Sequence, residues 1–268
     1  MEALVFSSIL DFIRVCLWLL ILMSIFGFLE RIFAVQRQKF FRKDFLVDLL
    51  YYFISGHVPK LLLILPLALI GWLAHRVIPP VYYAKVDTLP TLTRIIVAFV
   101  IGEIGFYWGH RWSHEIPFLW KFHAIHHSAK EMDWLVSSRS HPVDMVFTRL
   151  CGFIPLYIVG LARPLANQLD AVTTFVILGS TIWGFFIHAN VKWRFGPLEW
   201  LISTPAFHHW HHTLEAPHDK NYASMLPWLD LVFGTAYLPK KEWPAQYGCD
   251  TPVSPDLTTQ LLDPILSR

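Results

Sequence analysis

Hydrophobic residues along this chain fall into long, nearly unbroken runs separated by short polar stretches. Runs of this length, without the alternation of a strand or the one-sided stripe of a soluble helix, predict membrane-spanning helices. The first run is Leu4 to Phe33, interrupted near its start by Asp11 and Arg14. The second, Phe45 to Val77, is broken by Gly56, Pro59 and Pro66 and reads either as one kinked span or as a short helix followed by a span. Leu92 to Trp108 is the third. Val143 to Leu161 and Leu169 to Ile187 read as a hairpin around the turn-like stretch Ala162–Asn167. After Leu238 the chain turns polar and proline-rich, and Leu257, Leu261, Leu262 and Ile265 outline a short amphipathic helix that packs on the polar cap. The predicted fold is all-α: an integral membrane helical bundle of about four to five spans with a cytoplasmic, histidine-rich helical cap, residues 1–268 forming one membrane domain.

Composition agrees. Hydrophobic residues make up 54% of the chain and charged residues 16%, against about 25% charged in an average soluble domain. The formal net charge of +2 says little about partners. No basic face with interleaved aromatics marks a nucleic-acid binder. The opening Met-Glu, with no basic leader and no small-residue cleavage site before Arg31, does not read as a cleavable signal peptide. The three cysteines, Cys16, Cys151 and Cys249, form no CxxC and suggest neither a disulfide framework nor a thiolate metal site. Orientation follows from the stretch Arg31–Lys43, which holds Arg31, Arg37, Lys39, Arg42 and Lys43 and no acid. The positive-inside rule puts it in the cytoplasm. Counting spans from there places Ile78–Thr91 outside and the segments His110–His141 and His188–His212 inside.

Those inner segments contain the chemistry. Eight histidines fall into three boxes: His110 and His114 in HRWSH; His123, His126 and His127 in HAIHH; His208, His211 and His212 in HHWHH. Neutral imidazole is a good ligand for iron, copper, zinc or nickel. On a helix, residues three and four apart share a face, so each HxxHH triplet is expected to present three nitrogens to one side. His141, just before a span, and His188, just after one, lie level with the boxes and bring the ligand set to ten, enough for two metal ions. His209 breaks the spacing and is excluded. His218 reads as surface, and His57 and His75 as core or interfacial residues.

Ligand imidazoles donate their other N–H to an acceptor. Glu103, two turns before His110 inside an apolar span, is expected to bond His110 or His114. Asp144 and Asp219 are further acceptor candidates, as is Asp230, whereas Asp133 reads as solvated surface. Trp108, Trp112, Trp120, Trp134 and Trp210 flank the boxes, as walls of a substrate channel or as interfacial anchors.

The strings GFYWGHRWSHEIPFLWKFHAIHH, SHPVD, HAN, TPAFHHWHH, DKNY and LPWLDLVFGT resemble the fatty acid hydroxylase / sterol desaturase superfamily of membrane histidine-box di-iron enzymes, over residues 102–237. The resemblance implies two iron ions held by His110, His114, His123, His126, His127, His208, His211 and His212, with His141 and His188 completing the set. Zinc can replace iron at such sites, since imidazole suits both. It also implies O2 as co-substrate and oxidation of a C–H bond of a membrane lipid, hydroxylation ahead of desaturation. No fused haem-binding donor domain is visible, so electrons are expected from a separate ferredoxin- or cytochrome-type protein. Two other readings are weaker. A metal-handling membrane protein would place its ligands near the bilayer midplane, and a zinc hydrolase would need only three ligands and a base.

Overall fold

The computed structural model describes residues 2–161 and 171–266, and the turn expected at Ala162–Asn167 lies outside them. Among the described residues the chain is helical, with no strand and a single isolated bridge between Thr213 and Tyr247. Helix α1 is Glu2–Phe33, α2 Phe45–Val77, α3 Pro80–Asp87, α4 Thr91–Glu115, α5 Pro117–His127, α6 Pro142–Ile158, α7 Ala171–His188, α8 Pro205–His211, α9 Trp228–Phe233 and α10 Leu257–Leu266. Proline at the first turn opens α3, α5, α6 and α8, where its missing N–H is no loss and its fixed φ favours the helix.

Among the described residues three helices are long and apolar enough to cross a membrane: Ser8–Phe33 within α1, then α2 and α4. Large apolar side chains project outward all round them, Leu65 and Val77 each being 79% exposed; lipid, not water, is the medium such surfaces fit. The second run is one continuous helix of 33 residues despite Pro59 and Pro66, roughly 50 Å long against a hydrocarbon core of about 30 Å. Among the described residues α6 and α7 run 17 and 18 residues, at the lower end of the roughly 17–25 that cross a bilayer. A hairpin returns the chain to its starting side whatever its depth, so the span count that puts the histidine boxes on one side is unaffected.

α4 and α6 form the tightest pair. Gly105 and Gly109 sit where α4 meets the backbone of α6: a Cβ at Gly105 would collide with the Cys151 carbonyl oxygen, and one at Gly109 would lie 2.8 Å from Cys151 Cβ. Small residues four apart let helices in lipid approach to backbone contact. Leu156 closes the same interface against Ala98, Val172 and Val176.

One end of the bundle is tied together by buried polar groups. Arg42, in the loop after α1, pairs with Asp48 of α2 and with Asp133 (2.7 Å). Arg139 pairs with the same Asp48 and with Asp44 (3.2 Å). Glu30, in the last turn of α1, accepts the backbone N–H groups of Trp134 (2.8 Å) and Asn190 (2.9 Å). Asp133 is therefore not solvated surface. It is buried, paired with Arg42, and caps a 3-10 turn at Trp134–Ser138 by accepting from Leu135 and Val136 N–H. Buried ion pairs contribute little net stability, but breaking one leaves an uncompensated charge. Here they fix which ends of α1, α2, α6 and α7 meet.

Gly105→Ala is expected to lower the melting temperature in detergent through overpacking, a cost of about 1–3 kcal/mol. Gly71→Ala, whose added methyl would meet Tyr157 at an ordinary 3.5 Å, should leave it unchanged. Equal melting temperatures for both variants would show that α4 and α6 do not touch through backbone at Gly105.

Candidate metal centre

Nine imidazoles gather at the tied end of the bundle in two groups, the potential ligand atoms of each group lying within 4.8 Å of one another. The first group is His110 and His114 from α4, His123 and His127 from α5, and His211 from α8. The second is His126 from α5, His188 at the end of α7, and His208 and His212 of the α8 segment. The triplets do not act as units. In each, the pair four apart shares one face and the middle histidine turns to the other. His123 and His127 join the first group while His126 joins the second; His208 and His212 join the second while His211 joins the first. Each HxxHH box thus contributes to both groups, in opposite proportion.

Six of the nine rings are held in place by their Nδ1 atoms. His110 Nδ1 bonds the Tyr222 carbonyl (2.7 Å), His211 the Lys220 carbonyl (2.7 Å), His126 the Arg139 carbonyl (2.9 Å) and His188 the Gly184 carbonyl (2.7 Å). His114 bonds Asp219 (3.1 Å) and His123 bonds Asp144 (3.0 Å). Carbonyl and ionised carboxylate oxygens only accept, so these six Nδ1 atoms carry the proton and each Nε2 of the neutral ring presents a lone pair. In the first group, Nε2 of His114, His123, His127 and His211 is buried with no hydrogen-bond partner. In the second, the Nε2 atoms face one another: His126 to His188 at 3.2 Å, His188 to His208 at 3.0 Å, His208 to His212 at 3.1 Å. His126 and His188 present two lone pairs across that gap, which repel unless a cation lies between. An unsatisfied buried polar atom costs about 1–3 kcal/mol, so the donor set fits a metal ion at each group.

Burial, then the neighbouring imidazoles, hold His126, His127, His208, His211 and His212 well below the ordinary histidine pKa. They are neutral, as ligands must be.

A single loop supports the first group. Asp219, Lys220 and Tyr222 hold three of its five rings. Asp219 and Asn221 adopt φ of 59° and 60°, a region that Asp and Asn tolerate better than most residues. Asn221 pins the loop, donating to the carbonyls of Phe207 (2.8 Å) and Tyr237 (2.7 Å) and accepting from Tyr237 N–H (2.7 Å). Asp230 accepts from Tyr222 and Ala223 N–H. Asp144 is braced by Ser113 (3.1 Å) and Ser140 (3.0 Å) while it holds His123.

Several sequence expectations are placed differently. His141 belongs to neither group: its Nδ1 accepts from Val143 N–H (3.1 Å), capping α6, and its Nε2 bonds the Leu261 carbonyl (3.1 Å). Both nitrogens are engaged, and the proline after it directs the residue into the cap position. Glu103 touches no imidazole. It accepts from Met225 N–H (2.6 Å), Leu226 N–H (3.3 Å) and Ser224 hydroxyl (3.0 Å), so it anchors the chain just beyond the supporting loop. The channel tryptophans point elsewhere. Trp108 and Trp112 lie two positions either side of His110, and Trp210 two positions from His208 and His212, which on a helix is the opposite face. Trp108 packs on Phe233, Trp210 on Tyr237, and Trp134 is buried against Phe26 and Phe185. Trp120 alone of the five pairs with clustered rings, those of His114, His123 and His127. His209 is excluded as expected, bonding Tyr247 hydroxyl (2.9 Å) and the Ala189 carbonyl (3.1 Å).

The depressed pKa values fix a pH dependence for the metal-stripped protein. The unfolded chain protonates these histidines near 6.5 and the folded chain does so only well below. Stability is therefore full above about pH 6.5 and falls as pH drops beneath it, by up to about 1.4 kcal/mol per pH unit for each such histidine. Melting curves at about pH 7.5 and about pH 5.5 should differ sharply for stripped protein; coincident curves would mean that these rings are not buried neutral.

Comparison with known proteins agrees with this geometry. The fatty acid hydroxylase family model matches residues 95–235, a stretch holding all nine clustered histidines. Ornithine lipid hydroxylase OlsE of Rhizobium tropici is 35% identical over 180 residues, covering 66% of this chain and 52% of the relative. Alkylglycerol monooxygenase of Xenopus tropicalis is 30% identical over 161 residues, 59% of this chain and 33% of its own. Methylsterol monooxygenase 2-2 of Arabidopsis thaliana is 28% identical over 142 residues, 53% of this chain and 52% of its own. The chain thus spans about a third to a half of the length of these relatives. No solved structure matches it. Two buried imidazole clusters at the ends of apolar helices, inside a stretch that the family model covers, place this membrane protein in the fatty acid hydroxylase family.

Proposed function

We propose that the two clusters hold two iron ions and that the protein uses O2 to hydroxylate a C–H bond of a membrane lipid. The observation that supports it most is the set of buried, unpartnered or mutually facing Nε2 atoms at the ends of apolar helices. Two redox-active ions supply the electron exchange with O2 that aliphatic C–H oxidation demands and that side chains alone lack. One oxygen atom enters the C–H bond and the other leaves as water, using two electrons and two protons. A separate ferredoxin- or cytochrome-type protein delivers the electrons. The relatives are named hydroxylase and monooxygenase, which favours oxygen insertion over hydrogen removal.

The chain's own part is positional. Five imidazoles bind at the first cluster and four at the second. Asp144, Asp219 and the carbonyls of Arg139, Gly184, Lys220 and Tyr222 fix their orientation. Burial keeps water from the rings. The basic Arg31–Lys43 loop supports a cytoplasmic location for this end by the positive-inside rule, which would put the centre within reach of a soluble donor while the lipid approaches from the bilayer.

Metal analysis of fully loaded protein should find two ions per chain. Asp144→Asn and Asn221→Ala should each weaken the first cluster's metal affinity roughly 10–100-fold, and His141→Ala should leave both ions bound. One ion or fewer in the wild type, or metal loss in His141→Ala, would overturn the assignment of ligands.

Iron-loaded protein given a reductant and donor protein should consume O2 only when its lipid is present, and the product should gain one oxygen atom by mass. A product lighter by two hydrogens would replace hydroxylation by desaturation. Lipid turnover that continues without O2 would sink both.

A further inference from the structure

A cleft of about 360 Å³ opens between the end of α1, the loop before α2, the turn at Trp134 and the segment after α7. Its cations are Arg31, Arg37 and Lys39. All three are exposed, and among the described residues none has a carboxylate partner. Arg42, from the same basic stretch, is by contrast buried and doubly paired. The acids that line the cleft do not neutralise the rim: Glu30 accepts two backbone N–H groups and Asp133 is held by Arg42. Three cations thus line one concave site without an ion-pair partner, while its two acids are engaged by other groups. Arg31 is steadied over the ring of Phe40, 5.4 Å from its centroid.

The cleft's depth in the membrane selects the occupant. The apolar span of α1 ends at Phe33, so the rim lies where headgroups begin. Beside it Phe41 is 72% and Leu46 69% exposed, a surface suited to acyl chains and poorly suited to a hydrated acidic protein. Phe45, Trp134 and Leu135 give the interior an apolar wall. Asn190 closes it, bonding Val35 and Gln36 N–H and the Gln36 carbonyl, two residues beyond the clustered His188.

We propose that this cleft binds the anionic, phosphate-bearing headgroup of a membrane lipid, one per chain. The binding requires no metal and no turnover, so it stands apart from the oxidation reading. Each basic residue near a membrane surface strengthens attraction to anionic lipid roughly fivefold.

The test uses full-length protein, stripped of metal, in nanodiscs of phosphatidylcholine with a minority of phosphatidylglycerol. Lipid retained after extraction is counted by native mass spectrometry. Wild type should keep one phosphatidylglycerol, enriched over its bulk share. Enrichment should vanish in Arg31→Ala/Arg37→Ala/Lys39→Ala and persist in Arg31→Lys/Arg37→Lys, which keeps the charge. Arg37→Ala/Lys39→Ala, which spares the Arg31–Phe40 contact, should reduce it if the triple variant fails to fold. Undiminished enrichment in the alanine variants would overturn the proposal. So would retention of inorganic phosphate alone with no preference for phosphatidylglycerol, which would mark a free-anion site. Loss of donor-protein binding with lipid retention unchanged would assign the rim to the donor and equally overturn it.

Discussion

The structure depends on one constraint: a buried neutral imidazole can aim a lone pair only if its other nitrogen has somewhere to put a proton. Six of the nine clustered rings meet it through fixed carbonyl or carboxylate oxygens on four different parts of the chain: the loop at Asp219–Tyr222, Arg139, Asp144 and Gly184. Each acceptor sets the rotation of one ring and its tautomer at once. Move an acceptor and the corresponding Nε2 either turns away or becomes a donor. The cap is accordingly built around acceptors, and much of its hydrogen bonding outside helices serves to hold them still: Asn221 and Asp230 for the loop at Lys220 and Tyr222, Ser113 and Ser140 for Asp144, Asp48 for Arg139.

Helical periodicity explains how so short a motif contributes to two clusters. Residues four apart are offset by about 40° and a neighbour by about 100°. An HxxHH box on one helix therefore offers a ligand pair to one side and a third ligand to the other. Two such boxes, on α5 and α8, contribute in opposite proportion. α4 must then approach closely enough for His110 and His114 to complete the first group. The glycines at 105 and 109 allow α4 to lie against α6, which brings Ser113 within reach of Asp144. Packing in the lipid-facing half and ligand geometry in the cap are thus consequences of one interface.

What the sequence revealed and what it hid divide along sequence separation. The first three spans, the three boxes and the exclusion of His209 were legible because they rest on local spacing. So was His188, because it ends an apolar helix level with the boxes. Asp219 was legible as an acceptor because it follows the third box, and Asp144 because it lies three residues after His141, although the ring it holds is that of His123. Glu103 misled because helical register alone put it beneath His110, whereas its partners at Ser224–Leu226 lie over 120 residues away. His141 misled because Pro142 makes it a helix cap, which turns its ring to Val143 and the tail helix. Asp133 and Arg42, 91 residues apart, neutralise each other inside the protein, and no local pattern separates such a pair from solvated charges. Backbone acceptors such as the carbonyls of Arg139 and Lys220 have no residue-type signature at all.

The same buried contacts decide which helix ends share a face of the membrane. Glu30 ties the C-terminal end of α1 to Asn190, just past the C-terminal end of α7. Asp48 ties the N-terminal end of α2 to Arg139, just before the N-terminal end of α6. His110 and His114 lie in the last turns of α4 and meet His211 and His123. C-terminal ends of α1, α4 and α7 therefore gather with N-terminal ends of α2 and α6, the alternation that an odd number of crossings followed by a returning hairpin requires. A chain with one crossing more or fewer before α5 would carry its boxes to the side opposite the Arg42–Asp48–Asp133 network. It would then have to break that network and leave charges uncompensated, a cost of about 3–5 kcal/mol for each pair broken. Topology, ion pairs and ligand convergence are in this sense one choice: the buried charges reject any threading that would take the imidazoles apart.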